Sequence, residues 1–332
     1  MSGAAAVQAG TRTLTFREAL NEALRQEMER DSRVILMGED VGRKGGIAGV
    51  SRGLLEAFGP QRVMDTPISE MAIAGACCGA AMSGLRPVGE FYYSDMLMFM
   101  ADNVVTSAAR LKLATGQTAP YVLRGRDGSK PEDGGPHQDS FAAWFAHIPG
   151  LKVVMPATPA DAKGLLAAAI RDDNPVIFLE QIPLYGVKGE VPAGEHVVPL
   201  GKADVKKAGT DVTVACIGRC VYDALSAQER WAKRGVSLEV LDLRSLRPLD
   251  VEAIRRSVKK TGRLAVVHEG WASYGISAEV IACVSDGPEL LLRAPAQRVG
   301  TIDTHIPASP RFAAACLPNA ARLDAAIAKL TG

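Results

Sequence analysis

Residues 65–79 read Asp65-Thr66-Pro67-Ile68-Ser69-Glu70-Met71-Ala72-Ile73-Ala74-Gly75-Ala76-Cys77-Cys78-Gly79 (DTPISEMAIAGACCG) and place one carboxylate at the head of a helix that carries no other charge. Four residues separate Glu70 from Gly75, Ala76 follows, and Gly79 completes a Gly-x-x-x-Gly step, so one helix face is narrow enough to admit another backbone closely. A capped, Ala-rich core helix has the same outline. The glutamate separates the two readings, because a buried-looking charge beside a tightly packed apolar helix is costly unless something pairs with it.

Outward from this helix the chain alternates strand and helix. Upstream, Thr15 and Glu18 form a capping box for an amphipathic helix with Phe16, Leu20, Ala23, Leu24 and Met28 on its apolar side. A strand over Val34–Met37, a glycine-rich loop over Gly38–Gly49, a short helix over Ser51–Phe58 and a strand near Val63 lead into it. Downstream come an extended run over Pro87–Tyr92, a long helix over Met96–Ala114, a strand over Tyr121–Arg124 and a polar loop over Gly125–Gln138. The next unit has the clearest pattern: a strand over Leu151–Met155, Thr158 as cap with Pro159 in the first turn, a helix to Arg171, and a strand over Val176–Leu179. Such alternation implies a parallel sheet with helices on both faces. From Pro183 to Lys207 the chain turns rich in Gly, Pro and charge, as a linker with one or two short strands would be. A second alternating unit follows, with strands over Asp211–Ile217, Ser237–Leu243, Leu264–His268 and Ala296–Val299 and helices over Cys220–Arg234, Val251–Lys259 and Ile276–Val284. The expected division is a disordered terminus at 1–10, a first domain at 11–185, a linker at 186–207 and a second, smaller domain at 208–332.

Composition describes a soluble enzyme: 332 residues, 47% hydrophobic, 23% charged and a net charge of +1 give ample core and no electrostatic case for nucleic acid or a membrane surface. The longest uncharged run, Met71–Leu85, is shorter than the ~20 residues of a membrane span, and Met1–Gly10 lacks the regions of a signal peptide. A cytoplasmic location is expected. The six cysteines, Cys77, Cys78, Cys216, Cys220, Cys283 and Cys316, have neither zinc-ligand nor redox spacing and read as reduced packing residues.

The Glu70, Gly75, Ala76, Gly79 arrangement resembles the motif of thiamin diphosphate enzymes, and its surroundings resemble the β subunit of the decarboxylating component of 2-oxo acid dehydrogenase complexes. The likeness runs through Gly38-Glu39-Asp40, DTPISE, GLRPVGEF (84–91), GGPH (134–137), AHIPGLKVV (146–154), IRDDNPVIFLE (170–180) and LDLRSLRPLD (241–250), and so covers nearly the whole chain. It implies an α/β fold: a parallel-sheet thiamin diphosphate-binding (pyrimidine) domain plus a smaller α/β domain like the transketolase C-terminal domain. It implies that the Glu70 carboxyl bonds the aminopyrimidine ring nitrogen and favours the tautomer that removes the thiazolium proton. His137, in a Gly, Pro and Asp loop that no core needs, corresponds to a family histidine assigned to proton transfer and to handling the lipoyl acceptor. Weaker assignments follow: Glu39 lines the cofactor site or caps a turn, Tyr92 is a nearby contact, and Met96 stands where relatives place an aromatic ring against the aminopyrimidine. Asp172 and Asn174, with the carbonyls of Ala119, Val122 and Ala169, resemble a structural potassium site or form a surface turn. His268-Glu269 ends a strand and reads as packing or interface.

Absence is also informative. Thiamin enzymes hold magnesium and diphosphate with Gly-Asp-Gly followed at a distance by Asn, and Gly125-Arg126-Asp127-Gly128 does not fit that pattern. The resemblance therefore implies an α subunit that binds Mg2+ and the diphosphate, an α2β2 heterotetramer, a lipoyl-bearing acyltransferase core as acceptor, and dihydrolipoamide dehydrogenase as an indirect partner. The expected reaction is oxidative decarboxylation of a 2-oxo acid, pyruvate favoured. Alternatives are an acetoin-cleaving dehydrogenase β subunit, the C-terminal half of a split transketolase, and a noncatalytic interaction subunit.

Overall fold

The computed structural model describes residues 10–46, 48–130, 137–286, 289 and 291–332. The expectation for residues 1–10 lies, Gly10 apart, outside them, as does the GGP part of the GGPH motif. Among the described residues the strands form a seven-stranded sheet, a five-stranded sheet and a two-stranded ribbon.

In the larger sheet the order is 245–247, 152–154, 176–181, 122–127, 86–91, 34–39, 63–66. All neighbours are parallel except Ser245–Arg247, which runs antiparallel to Lys152–Val154. Alternate residues of Val34–Glu39 explain why both faces are covered. Val34 and Leu36 join Phe16, Leu20 and Leu24 of helix Phe16–Arg30 and Leu165 and Leu166 of helix Pro159–Arg171. Ile35 and Met37 join Ile73, Ala74 and Cys77 of helix Glu70–Met82. A strand with both faces buried is apolar wherever its side chains find no polar partner, as Val-Ile-Leu-Met is.

The second sheet, in the order 297–301, 264–271, 212–216, 238–242, 204–207, is parallel but for its edge strand Asp204–Lys207. One of its faces, through Ala215, Leu241 and Val266, is continuous with the core beneath the first sheet, and the other packs on helices Cys220–Ala232 and Ala320–Thr331. Thr11–Thr15 pairs with Lys188–Pro192 as the ribbon.

Local signals read from the sequence largely recur. Thr15 accepts from the Glu18 amide while the Glu18 carboxylate accepts from the Thr15 amide at 2.8 Å, and Thr158 caps the helix that Pro159 opens. Three departures have physical causes. The expected helix over 96–114 is broken into Leu97–Ala101, a π-helical stretch Asp102–Ala108 and Ala109–Thr115. The inserted turn brings Asn103 against Gly75, where it donates to the Met71 carbonyl at 3.1 Å. The short helix begins at Leu54, because Gly53 in the left-handed region (φ 77) cannot start it earlier. Strand Ser245–Arg247 and helices Ala142–Ala146, Pro310–Cys316 and Ala320–Thr331 have periods too short or too alanine-rich to register as elements in the sequence.

Candidate functional site

Parallel strands put all their carboxyl ends on one edge of the sheet. Glu39 ends strand Val34–Glu39; Glu70 opens the helix after Val63–Thr66; Tyr92 follows Arg86–Phe91 and Met96 closes the turn Ser94–Met96; His137 lies beyond Val122–Asp127. The chain leaves Val34–Glu39 toward one side of the sheet and Arg86–Phe91 toward the other, and these two strands are neighbours. Their shared carboxyl end is thus the point where strand order reverses, the crevice in which open α/β sheets bind ligands.

Glu39 and Tyr92 at this crevice are desolvated. Glu39 is held above the ordinary carboxyl range, first by burial, then by repulsion from Asp40 and from Glu70. The Tyr92 hydroxyl is buried without a hydrogen-bond partner among the described residues, and burial pushes its pKa up, with Glu90 adding to it. Tyr93, in the left-handed region at φ 67, turns its ring against His137, with ring centres 4.2 Å apart and planes 33° apart. The Arg126 guanidinium lies 4.8 Å from the centre of the same Tyr93 ring. Met96 is half-buried on the turn beside them.

Glu70 differs from its sequence reading in one respect: it is half-buried, not buried, and its neighbours Ile68 and Met71 are 73% and 60% exposed. The helix turns Ile73, Ala74, Cys77, Cys78 and Ala81 inward. Its Gly-x-x-x-Gly face is divided. A Cβ on Gly75 would meet Asn103 at 3.3 Å, so that glycine serves packing within the chain, whereas Gly79 faces open space.

Two sets of charges, one within the sheet and one at its carboxyl end, escaped the sequence reading. Arg124, 1% exposed, donates to both oxygens of Glu180 at 2.6 and 2.7 Å and also bonds Glu90; Tyr185 donates to Glu180 at 2.8 Å. The signal was a charge inside each of three apolar strands, but which charges meet depends on strand order. The second set is buried Asp95 and Asp127 with half-buried Asp139. Burial, followed by Glu269, pushes Asp127 up to about 7. Burial and then Asp139 do the same for Asp95, also to about 7. The Ser94 and Ser140 hydroxyls sit near enough to Asp127 to favour its charge, yet Ser94 donates to the Asp139 carbonyl at 2.7 Å, leaving Asp127 without a well-directed bond among the described residues.

The potassium candidates lie elsewhere. Ala119, Val122, Ala169, Asp172 and Asn174 cluster at the amino end of strands Val122–Asp127 and Val176–Gln181, the edge opposite the crevice. The Asp172 carboxylate accepts from the Asn174 amide (2.8 Å) and side chain (2.9 Å) and bonds the Lys152 ammonium, while the Ala169 carbonyl accepts from the Asp172 amide at 3.3 Å. A lysine already neutralises this turn.

Comparison with known proteins gives the arrangement its family. The transketolase pyrimidine binding domain matches residues 12–188, and the transketolase C-terminal domain matches residues 201–323. The 2-oxoisovalerate dehydrogenase subunit beta of Bacillus subtilis is 46% identical over 300 residues, 90% of this chain and 91% of that protein. The mitochondrial pyruvate dehydrogenase E1 component subunit beta is 45% identical in Caenorhabditis elegans, over 96% of this chain and 92% of that one, and 44% identical in Rattus norvegicus, over 92% and 86%. The chain belongs to the E1 β-subunit family of 2-oxo acid dehydrogenases. As an E1 β chain it has the two-domain transketolase-like architecture, which a solved split-gene transketolase, described as an inactive β4 tetramer, shares at TM-score 0.80 and 20% identity over 96% of this chain and 98% of that one. The family is thiamin diphosphate-dependent and oxidoreductive. No helix among the described residues is long and apolar enough to cross a membrane.

Proposed function

We propose that this chain is the β half of an α2β2 2-oxo acid dehydrogenase, with pyruvate as substrate and a lipoyl group on a separate acyltransferase core as acceptor. The observation that carries the reading is the convergence of Glu39, Glu70, Tyr92 and His137 on one strand-reversal crevice. These residues fit the aminopyrimidine end of thiamin diphosphate. The crevice offers a half-buried carboxylate for a ring nitrogen, a second carboxyl held toward its protonated form, and an orphaned phenol. Bound there, the cofactor would supply the thiazolium carbon that adds to the 2-oxo group and takes up the charge left by carbon dioxide.

Within this proposal Glu70 would share a proton with the pyrimidine ring nitrogen, Glu39 and Tyr92 would line the ring, and Met96 would pack against it. His137, whose ring lies against that of Tyr93, would protonate the departing lipoyl sulfur as the acyl carbon bonds the other sulfur and the S–S bond breaks. The Mg2+ and diphosphate half is assigned to an α subunit, supported by the missing Gly-Asp-Gly motif and by Ile68 and Met71, exposed beside Glu70. Residues 11–185 form the pyrimidine unit, 186–207 the connector and 208–332 the C-terminal unit; reoxidation falls to dihydrolipoamide dehydrogenase acting on the core. Six free cysteines support a reducing, cytoplasmic setting.

Reconstitution tests the reading. With an α partner and an artificial oxidant, pyruvate is expected to be oxidatively decarboxylated faster than 2-oxoisovalerate is and faster than acetoin is cleaved, and ketol transfer between sugar phosphates is expected to be absent. His137→Ala is expected to retain decarboxylation but to fail in acylating a lipoyl domain. Equal losses in the two assays would refute the role given to His137. Tight Mg2+-dependent cofactor binding by the β chain alone, measured by calorimetry, would refute the shared site.

A further inference from the structure

Glu269 belongs to the second sheet, on strand Leu264–Trp271, yet its carboxylate reaches the first sheet. It is 4% exposed and accepts from the backbone N–H of Ser129 at 2.8 Å, from Gln181 Nε2 at 3.0 Å and from Arg219 Nε at 2.9 Å. Ser129 lies two residues past strand Val122–Asp127, where the chain sets out toward His137. The backbone is shaped for this contact. Gly128 has φ +78, and a Cβ on it would sit 3.1 Å from both Glu269 Oε2 and Gln181 Nε2.

The contact continues to the far stem of the segment. The Ser129 hydroxyl donates to Gln138 Oε1 at 3.0 Å, and Gln138, 1% exposed, is the residue after His137. Gln138 Nε2 points at the Ile306 carbonyl, 3.5 Å away, and Ser94 donates to the Asp139 carbonyl at 2.7 Å. Both stems are therefore tied by buried polar groups, and the carboxylate at the root of the chain of bonds comes from the other sheet. An isolated buried carboxylate is expensive. Here Arg219 neutralises it, and Gln181, which also accepts from the Arg219 amide at 2.6 Å, holds both in place.

We infer that the chain Glu269–Ser129–Gln138 positions His137 against Tyr93, so that the C-terminal unit sets the placement of a residue on the pyrimidine unit. Glu269 is a positioning residue. Its carboxylate is occupied by Ser129, Gln181 and Arg219, and it acts by removing the freedom of a loop stem whose displacement by about 1 Å can cost on the order of a hundredfold in rate. The inference rests on the proposed role of His137 only for its effect on turnover. The placement itself is independent.

The test therefore reads placement first. In the full-length chain the His137 Hε1 proton should be moved away from the random-coil histidine position by the ring current of Tyr93, whose centre lies 4.2 Å from that of the imidazole. Histidine-selective NMR, with His137→Ala assigning the signal, is expected to show that shift collapsing in Glu269→Ala and in Gln138→Ala. The reconstituted enzyme carrying either variant is expected to lose about ten- to a hundredfold in kcat for lipoyl-domain acylation. An unmoved His137 resonance in both variants overturns the inference. Should Glu269→Ala fail to fold, Gln138→Ala decides alone, and an unmoved signal there overturns it equally. A moved resonance with unchanged acylation keeps the tether and refutes the catalytic role of His137.

Discussion

The two ends of the seven-stranded sheet treat charge in opposite ways. At the amino end every carboxylate has a cation or amide: Asp172 bonds Lys152 and Asn174, and Arg86 donates to the Ile170 and Asp172 carbonyls and to Asp173. Burial opposes the charge of Asp172, but these partners overcome it and hold its pKa down. At the carboxyl end Glu39, Asp95 and Asp127 are desolvated with too few compensating donors, and all three are pushed up. Between the ends, Arg124 divides its guanidinium between Glu90 and Glu180. One sheet thus keeps paired charges at its amino end and desolvated ones at its strand-reversal crevice, the separation expected of a functional edge.

The largest expected effect tests the middle. Arg124→Met leaves two buried glutamates without their shared cation and should cost about 3–5 kcal/mol, read as a lowered urea midpoint. A loss below 1 kcal/mol would mean that Glu90 and Glu180 take up protons readily, and the contrast between the ends would lose its anchor. Glu70→Gln, at the carboxyl end, should leave assembly with the α subunit intact while slowing thiazolium proton exchange by roughly two orders of magnitude. A near-normal exchange rate would turn Glu70 into a helix-start residue and nothing more.

A smaller effect separates Asp127 from its paired counterparts. Its folded value of about 7 lies above the ordinary 3.8. The folded chain therefore holds an extra proton between those values, and the associated stability is full below about pH 4 and lost as pH rises through 7. Asp127→Asn cannot ionise, so its thermal midpoint should gain on that of the native chain between pH 5 and pH 8. A constant difference across that range would show the carboxylate charged in the fold. The smallest effect belongs to the amino end. Lys152→Met breaks a partly exposed pair and should cost under about 1 kcal/mol, with activity within twofold. A potassium-dependent rise in the midpoint of this variant alone would show that the turn accepts a cation in place of the lysine.

Legibility followed the range of the interaction. Helix Phe16–Arg30, with its Thr15–Glu18 box, and the Thr158-Pro159 start were readable because capping spans three residues. The parallel strands of the first sheet were readable because burial on both faces favours apolar runs, whereas Ser245–Arg247 was too short to register. Glu70 stood out as the lone charge of an apolar helix, and His137 as a histidine in a loop with no packing task. The Arg124 pairing, the Asp95–Asp127 proximity and the Glu269 contact with Ser129 were not, since their partners lie 34–56, 32 and 140 residues apart. The break in the helix after Ala101 was hidden too, because the contact that accompanies it, Asn103 against Gly75, is made with another helix.

By itself the sequence determined the element types, the family and the residues able to do chemistry, because periodicity, caps and motif spacing act within a few residues along the chain. Only the tertiary structure decided which of those residues share an edge. Strand order carried Glu39, Glu70, Tyr92 and His137 to one end and Asp172 and Asn174 to the other, and it buried Arg124 between two glutamates while leaving the Asp127 carboxylate without a hydrogen-bond partner among the described residues. Burial and charge pairing are properties of neighbours in space, and they set proton affinities that the same residues would not have in an extended chain.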